Sequence, residues 1–348
     1  MASPSMMAQQ RIAYVDFMKC LCIMLIVMYH IDHEFFNYLA PNLNNALQAF
    51  RLPMYYFISG YFFKLYGGFN DFTRRKVNNI LVPFVFFVVL AFVAHSLEAL
   101  LRRAIGAEPI TVSFMQLLEP FYRRHWEMTG PLWFLLSLFW VNVIFYLLQR
   151  YIKPRWGIVL ATAIISIVGY ALAASKIQLP WMLDTSLVAL PYFLLGWAIK
   201  RLNPPVPSTT RQVLSRVGLL VVVAIPIYFL SDYLNLHYQI LPDYWKLYLL
   251  PFVAITALFL ACMALPHIPL LCHYGRYSLI ILGTHQVLFL PVRMVCVLRL
   301  GMEPGIALTL IVFIVTMAME WPVIWSLKTY APRFTAQQPF FKPGWRCR

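Results

Sequence analysis

Charged residues are scarce in this sequence. They make up 12% of the 348 residues, and only 13 side chains are acidic. Soluble globular domains carry about 25% charged residues, so this composition excludes a soluble enzyme or a soluble binding domain. Hydrophobic residues make up 61% of the chain. The composition therefore predicts an all-α fold, a polytopic bundle of transmembrane helices.

Cysteine is also infrequent, and several familiar site motifs are missing. Most of the six cysteines lie in apolar segments, and no CxxC pair occurs. A disulfide framework and a metal site are therefore not expected. The sequence also lacks the GxSxG, HExxH and P-loop motifs. Their absence argues against the serine hydrolases, zinc proteases and nucleotide hydrolases that these motifs mark.

Negative charge is outweighed by positive charge. The formal net charge is +15, from 28 basic and 13 acidic side chains. In a soluble protein this excess would suggest a nucleic-acid partner. In a membrane protein it follows from cytoplasmic loops rich in lysine and arginine. The basic residues concentrate in alternate connections between spans, and this distribution predicts that both termini lie in the cytoplasm. Because the membrane explains the positive charge, no nucleic-acid partner is predicted.

The apolar segments predict about ten membrane spans within one domain, residues 1–348. The last part of the chain, about 330–348, is basic and predicts a short cytoplasmic tail. Prolines interrupt several spans, which favours a bundle with a cavity. The predicted spans are 14–36, 45–66, 79–101, 130–149, 156–175, 185–199, 214–231, 245–264, 277–298 and 305–327.

The first span carries ionisable side chains that a simple membrane anchor would not need. Asp16, Lys19 and His30 lie within it, and such groups mark functional sites in membrane segments. Lys19 and His30 are three helical turns apart, about 16 Å along one face. This stripe predicts a polar path through the bundle. The alternative is that Asp16 and Lys19 form an ordinary i,i+3 pair at the interface.

The second span contains Arg51, two residues before Pro53. An arginine inside a membrane span needs a carboxylate, carbonyl groups or an anionic ligand as its partner. Glu34 or Asp32 across the first hairpin would provide a structural partner. Further along this span, Ser59 and the adjacent glycine favour close helix packing.

A basic cluster, Arg74, Arg75 and Lys76, precedes the third predicted span. Three consecutive cations at the cytoplasmic face suit the phosphate groups of a cytosolic cofactor by charge and by hydrogen-bonding geometry. The alternative is that the cluster only reflects the preference of basic residues for the cytoplasmic side.

Three further residues are candidates for the site. Trp133 begins the fourth span and is equally compatible with packing. His285 lies within the ninth span, where a lone histidine is more often structural. Glu320 in the tenth span must be protonated or paired, and His285 and Arg51 are two candidate partners whose contact the sequence alone does not show. A histidine beside a charged group can act as general base on a hydroxyl, which acyl transfer from a thioester requires.

Several motifs resemble those of acyltransferase family 3, the bacterial membrane O-acyltransferases that modify surface polysaccharides and related glycans. Two of these motifs are the most specific. The first is a basic residue, ten intervening residues and a histidine, here Lys19 to His30. The second is the motif of the second helix, here Phe50 to Gly60. The segments that carry the resemblance are Lys19 to His30, Phe50 to Gly60, Lys76 to Phe84, Leu132 to Leu135, Phe193 to Gly196 and Gly275 to His285.

The resemblance implies an acyl-CoA donor, usually acetyl-CoA, that enters from the cytoplasm. It implies His30 as the catalytic base, Lys19 as a cation that stabilises the donor or the intermediate, and Arg51 as an orienting residue. The cluster Arg74, Arg75 and Lys76 would hold the CoA phosphates. A position of this stretch that is often basic in the family is Asn79 here.

The resemblance also implies the partners and the location. The acceptor would be a hydroxyl of a cell-surface glycan or a lipid-linked saccharide, and membrane lipid would surround the protein. The protein would be multi-pass in the inner membrane of a bacterium, with homo-oligomerisation left open. The competing hypothesis is a transporter or flippase for a glycan or lipid-linked precursor, since proline-broken helices with charges inside the membrane fit it too.

Overall fold

The computed structural model describes residues 12–104, 110–121, 124 and 130–341. These ranges are helical, with one isolated β-bridge between Asn235 and Ile240 and no β-strand among them. The first part contains six α-helices: α1 Ala13–Ile31, α2 Phe35–Leu39, α3 Leu43–Arg51, α4 Pro53–Tyr61, α5 Phe69–Lys76 and α6 Val82–Ala104.

The second part of the chain contains nine further α-helices. They are α7 Met115–Leu118, α8 Trp133–Tyr151, α9 Arg155–Ala174, α10 Leu183–Leu202, α11 Thr210–Leu230, α12 Tyr244–Ala264, α13 Pro269–Arg276, α14 Ser278–Leu298 and α15 Ile306–Tyr330. Short 3-10 turns, Gly130–Leu132 and Pro180–Met182, lead into α8 and α10.

Within the described ranges, nine helical segments are long and apolar enough to cross a membrane. A polytopic helical bundle is thereby confirmed. The nine segments are α1, Phe69–Leu100, Gly130–Tyr151, α9, Pro180–Leu202, α11, α12, α14 and α15.

The second predicted span, 45–66, is not one of these nine, because it is interrupted at Pro53, one of the prolines predicted to break a span. The chain forms two nine-residue helices, α3 and α4, which meet at Leu52. Pro53 opens α4, because its ring fits the first turn of a helix but disrupts the interior of one. The break places Arg51 at the end of α3 rather than within a continuous helix.

Two other boundaries differ from the prediction in ways that affect the site. Helix α1 ends at Ile31, so residues 32–34 form a turn outside the helix. The side chain of Asp32 accepts a hydrogen bond from the backbone N–H of Glu34 at 2.9 Å, which stabilises this turn. The basic cluster does not precede a helix either. It forms the last turn of α5, and a π-helical segment, Val77–Leu81, joins α5 to α6 without a break.

Most of the other prolines were also predicted to interrupt their spans, and this prediction is wrong. Helices α10, α11, α12, α14 and α15 each continue through an internal proline. Membrane helices tolerate proline because neighbouring helices and polar side chains satisfy the carbonyl group that loses its partner. The prolines concerned are Pro191, Pro226, Pro251, Pro291 and Pro322.

Helices α4 and α10 cross at very short range. A Cβ atom on Gly60 would overlap the Phe193 carbonyl oxygen, and one on Gly196 would overlap the Phe57 carbonyl oxygen. The two glycines thus allow the backbones to touch, as small residues do in membrane helix pairs. Ser59, beside this crossing, accepts a hydrogen bond from Asn142 of α8 at 3.2 Å. Its role in the described structure is packing between α4 and α8.

Helix α1 lies at the centre of the bundle and contacts α12, α13, α14 and α15. Helices α9 and α11 lie outside and expose apolar side chains such as Ile164 and Val222, which suits contact with lipid. Of the predicted C-terminal tail, residues 331–341 pack back on α6, where Phe334 stacks on Phe86 at 5.4 Å. Residues 342–348 lie outside the described part of the chain.

Candidate active site

A cavity of about 410 Å³ opens where the C-terminal end of α1 meets the junction of α3 and α4. The start of α8, the segment between α11 and α12, and the middle of α14 complete its walls. The polar and aromatic residues that line it are Tyr29, His30, His33, Gln48, Arg51, Trp133, Phe134, Tyr233, Asn235, His237, Tyr238 and Gln286.

His30 lies in the last turn of α1 and faces this cavity. Its Nδ1 lies 2.8 Å from the carbonyl oxygen of Ile26, one turn earlier in the helix. A carbonyl oxygen only accepts hydrogen bonds, so Nδ1 carries the proton and the neutral imidazole has its lone pair on Nε2. The helix itself therefore fixes both the tautomer and the orientation of a potential base.

His285 lies beside His30 on α14. The two ring centroids are 5.3 Å apart and the planes meet at 65°. Nδ1 of His285 donates to the carbonyl oxygen of Ile281 at 2.7 Å, the same arrangement as in His30. The side chain is fully buried, and its Nε2 has no hydrogen-bond partner among the described residues. Buried polar atoms are usually satisfied, so an unpaired one next to a histidine that lines the cavity points to a functional role.

Arg51 also lines the cavity, with 5% of its surface exposed. Its guanidinium donates to Oδ1 of Asn44 at 3.1 Å and lies 3.9 Å above the ring of Tyr29. The expected partners, Glu34 and Asp32, do not pair with it. They instead accept hydrogen bonds from side chains or backbone near the end of α1, since the turn after Ile31 carries them away.

Trp133 forms the floor of the cavity by stacking on a second ring. Its indole lies parallel to the imidazole of His237, with centroids 5.1 Å apart and 3° between the planes. His237 belongs to the segment between α11 and α12, and its Nε2 lies 2.7 Å from the carbonyl oxygen of Arg124. Sequence reasoning named Trp133 as a candidate but not its partner.

A buried ion pair holds this floor in place. Arg124 pairs with Asp184 of α10 at 2.6 Å, and both side chains are almost completely buried. The same guanidinium donates to Thr185 at 2.8 Å and to the backbone carbonyl of His237 at 2.6 Å. Arg124 thus connects the segment that carries His237 to the start of α10.

Glu320 is buried in α15 but does not contact either predicted partner. Thr284 donates its hydroxyl to the carboxylate, with distances of 2.9 and 3.0 Å to the two oxygens. Thr284 precedes His285 in α14, so the carboxylate lies behind the histidine pair rather than in the cavity. Of the candidate partners, neither His285 nor Arg51 forms a hydrogen bond or ion pair with Glu320 in the described structure, since Thr284 occupies that position.

Asp16 and Lys19 lie near the other end of α1, away from the cavity. The Lys19 ammonium is 3.9 Å from the Asp16 carboxylate, the i,i+3 pair that the spacing allows. The backbone carbonyl of Lys19 also accepts a hydrogen bond from Tyr55 of α4 at 2.9 Å. The structure therefore separates Lys19 from His30 along the axis of α1, as their spacing predicts.

The basic cluster lies outside the cavity as well, on α5. Arg74 is exposed, and Arg75 pairs with Asp71 at 3.1 Å while lying 4.6 Å from the ring of Tyr66. The Lys76 ammonium is 5.4 Å from the ring of Phe72. None of the three basic side chains lines the cavity.

The π-helical segment after the cluster carries two asparagines with different surroundings. Asn79 is exposed. Asn78 is buried, donates to the backbone carbonyl of Phe341 and accepts from its backbone N–H, both at 2.8 Å. The C-terminal segment is therefore held beside the basic cluster. No group of three or more His, Cys, Asp or Glu residues in the described ranges is arranged to bind a metal ion.

The comparison with known families decides what kind of protein carries this site. The family model described as an acyltransferase domain, that of acyltransferase family 3, matches residues 12–325. The chain belongs to this family. No curated protein and no solved structure shows a significant match to it.

Membership of the family and the nine apolar helices within the described ranges make the protein a multi-pass integral-membrane acyltransferase. The acyltransferase has two separated groups of polar residues. One lines the cavity and includes His30, Arg51 and Trp133, and the other, Lys19 on α1 with the basic cluster on α5, lies outside it.

The sequence marked His30, His285 and the buried Arg51 as candidates, but it did not mark most of the cavity wall. Gln48, His237 and Gln286 line the cavity without any local pattern that marks them. The one available signal was the polar segment 231–243 between two apolar spans, which supplies six of the lining residues: Tyr233, Leu234, Asn235, Leu236, His237 and Tyr238.

Proposed function

We propose that this acyltransferase transfers an acyl group, in the simplest case acetyl, from acyl-CoA to a hydroxyl of a cell-surface glycan or a lipid-linked saccharide. The observation that carries the proposal is the orientation of His30. Its Nδ1 is held by the Ile26 carbonyl, so Nε2 is the basic atom of a residue that lines the cavity. A base placed in this way is what an O-acyl transfer requires.

The proposed reaction proceeds by general-base catalysis. Nε2 of His30 accepts the proton of the acceptor hydroxyl, and the hydroxyl oxygen attacks the carbonyl carbon of the thioester. The tetrahedral intermediate then collapses, and the carbon–sulfur bond breaks. The departing thiolate takes the proton from the His30 imidazolium, which leaves an ester, free CoA and a neutral histidine.

The basic end of the bundle is the proposed binding region for the donor. Arg74, Arg75 and Lys76 offer three consecutive cations to the CoA phosphates, which arginine and lysine bind well. The pantetheine arm would then run along α1, past Lys19, for about 16 Å to reach His30. Lys19 would favour the negatively charged donor on this route.

The cavity is the proposed binding region for the acceptor. Aromatic side chains such as Tyr29 and Trp133 offer flat apolar surfaces to the C–H faces of a sugar ring, and Gln48 and Gln286 offer hydrogen-bonding groups to its hydroxyls. We also place the protein in the inner membrane of a bacterium, with both termini cytoplasmic. Cytosolic acyl-CoA and the precursors of surface glycans meet there.

Binding of acetyl-CoA to the purified protein tests the proposed donor. Lys76→Ala should weaken binding, because it removes one of the proposed phosphate contacts. Lys153→Ala is the matched control, since Lys153 is exposed and is predicted to face the same side of the membrane. Saturable binding that Lys76→Ala weakens and Lys153→Ala leaves unchanged would support the proposal. A folded protein that binds no acyl-CoA but moves a glycan across a liposome membrane would favour a transporter instead.

A further inference from the structure

Arg51 presents a buried positive charge that the described protein does not neutralise. Only 5% of its surface is exposed, and no carboxylate lies within 4 Å of it among the described residues. A buried charge without a counter-charge is unfavourable, because water no longer solvates it. Arginine cannot relieve this by losing its proton.

The contacts of Arg51 compensate only part of the cost of burying its charge. The Asn44 amide oxygen accepts one hydrogen bond at 3.1 Å, and the Tyr29 ring lies 3.9 Å from the guanidinium carbon. The position of Arg51 at the C-terminal end of α3 adds the favourable end of a helix dipole. These are partial charges, and none of them supplies a full negative charge. The guanidinium retains further donors for a ligand.

The rest of the cavity wall reinforces this charge. Among the described residues that line the cavity there is no aspartate and no glutamate, and Arg51 is the one with a permanent charge. The remaining lining groups are histidines, aromatic rings, amides and apolar side chains. His33, in the turn after α1, has its pKa lowered by burial and by the nearby Arg51 charge, which favours its neutral form. The cavity therefore matches a ligand with a single negative charge.

The stacked pair of Trp133 and His237 adds a platform for the body of such a ligand. The two rings are parallel, and the ion pair of Arg124 with Asp184 holds the segment that carries His237. A flat aromatic surface near hydrogen-bonding amides is a suitable surface for a sugar ring. The cavity thus combines a sugar-binding surface with one buried cation.

We infer that the acceptor of this acyltransferase is an acidic saccharide, whose carboxylate pairs with Arg51 while its ring occupies the cavity beside Trp133. The inference rests on the proposed function, which it makes more specific. A carboxylate is planar and carries one charge, so it can accept two parallel hydrogen bonds from the guanidinium. It would also place a hydroxyl of the same sugar near His30, because both residues line one cavity of about 410 Å³.

Equilibrium binding to the purified full-length protein, without any acyl donor, tests the inference. The probes are methyl glucuronide, the neutral methyl glucoside and glucose 1-phosphate. The first two differ only in the carboxylate. Charge-assisted hydrogen bonds to arginine favour the glucuronide, and we expect it to bind roughly 10-fold to 100-fold more tightly than the glucoside. In Arg51→Gln this preference should disappear.

Two further variants protect the test against a folding defect. Arg51→Lys keeps the charge but loses the planar pair of donors, so a reduced preference should remain. Arg102→Gln is the control for loss of an arginine elsewhere, because Arg102 pairs with Glu98 on α6, outside the cavity. It should keep the full preference of the unmodified protein.

Several outcomes would overturn the inference. These are equal binding of glucoside and glucuronide, tighter binding of glucose 1-phosphate, a preference that survives in Arg51→Gln, or no binding of any of the three sugars. Acyl-transfer assays separate this inference from the proposed function. Transfer to neutral sugars without dependence on Arg51 would sink the acidic acceptor and leave the reaction intact. Selective binding of the glucuronide without any transfer would contradict the proposed reaction and leave the binding of an acidic saccharide at Arg51 intact.

Discussion

The imidazoles of His30 and His285 lie 5.3 Å apart, and each is anchored through Nδ1 to the carbonyl group one turn earlier in its own helix. Both rings therefore present Nε2 as the free nitrogen. His30 has the cavity in front of it, whereas His285 is enclosed behind it with an unpaired Nε2. The arrangement places a base that lines the cavity beside a second, fully buried imidazole.

Replacing His285 with phenylalanine separates stability from function. An apolar ring of similar size removes a buried unpaired nitrogen, and leaving such an atom unsatisfied costs about 1–3 kcal/mol. We expect His285→Phe to keep or raise the melting temperature and to lower acyl transfer, because the neighbour of the base is lost. Thermal unfolding and transfer assays on one preparation check this. A variant with unchanged activity would assign His285 to structure alone.

The ion pair between Arg124 and Asp184 should contribute strongly to stability. Both side chains are almost completely buried, and removing one partner of such a pair costs about 3–5 kcal/mol. Asp184→Ala should therefore destabilise the protein and weaken binding of the acceptor, because the segment with His237 loses its attachment.

The matched control for this ion pair is Asp232→Ala. Asp232 pairs with Lys246 at 2.7 Å, but half of its side chain is exposed, and exposed pairs contribute about 0–1 kcal/mol. The comparison is made by chemical or thermal unfolding in the same detergent. Equal losses in both variants would contradict the role given to burial.

The crossing of α4 and α10 should tolerate no added methyl group. In Gly60→Ala the new Cβ would overlap the carbonyl oxygen of Phe193, so the two helices would have to separate. We expect a large loss of folded protein, measured by size-exclusion chromatography after extraction. Gly218→Ala is the control, because no atom of the described residues lies within 4 Å of its Cβ position in α11. There alanine should be neutral or stabilising by up to about 1 kcal/mol, its advantage over glycine in a helix.

The attachment of the C-terminal segment depends on one asparagine. Asn78→Ala removes two hydrogen bonds of 2.8 Å to the backbone of Phe341, each with a net contribution of about 0.5–1.5 kcal/mol. Hydrogen–deuterium exchange at residues 335–341 should become faster. In Asn79→Ala it should stay unchanged, because Asn79 is exposed. Equal exchange in the two variants would show that other contacts hold the segment.

The helical bundle was largely predictable, because long apolar segments specify membrane helices by length and composition alone. The helices α9 and α12 begin and end within a residue of their predicted positions. The prediction failed where local chemistry is ambiguous. Pro53 ended a helix while Pro251 did not, and the difference depends on which neighbours satisfy the freed carbonyl group.

The candidate site was predictable in its charged residues and not in its contacts. His30 and Arg51 stand out because ionisable groups are rare in membrane spans. The pairing of Arg124 with Asp184, or of Trp133 with His237, joins residues far apart in the chain, and no periodicity records it. The partner of Glu320 was missed for the same reason, because Thr284 is 36 residues away in the chain. Thr284 directly precedes His285, which was a candidate.

The most direct test of the central claim is acyl transfer by His30→Ala beside His95→Ala, with acetyl-CoA binding measured on the same preparations. His95 pairs with Glu98 on α6 and does not line the cavity, so it serves as the matched histidine control. Loss of a general base lowers the rate by about 10²–10⁴-fold, and we expect this loss in His30→Ala with unchanged donor binding. His95→Ala should remain active. A His30→Ala protein that transfers acyl groups as fast as His95→Ala would contradict the assignment of His30 as the base.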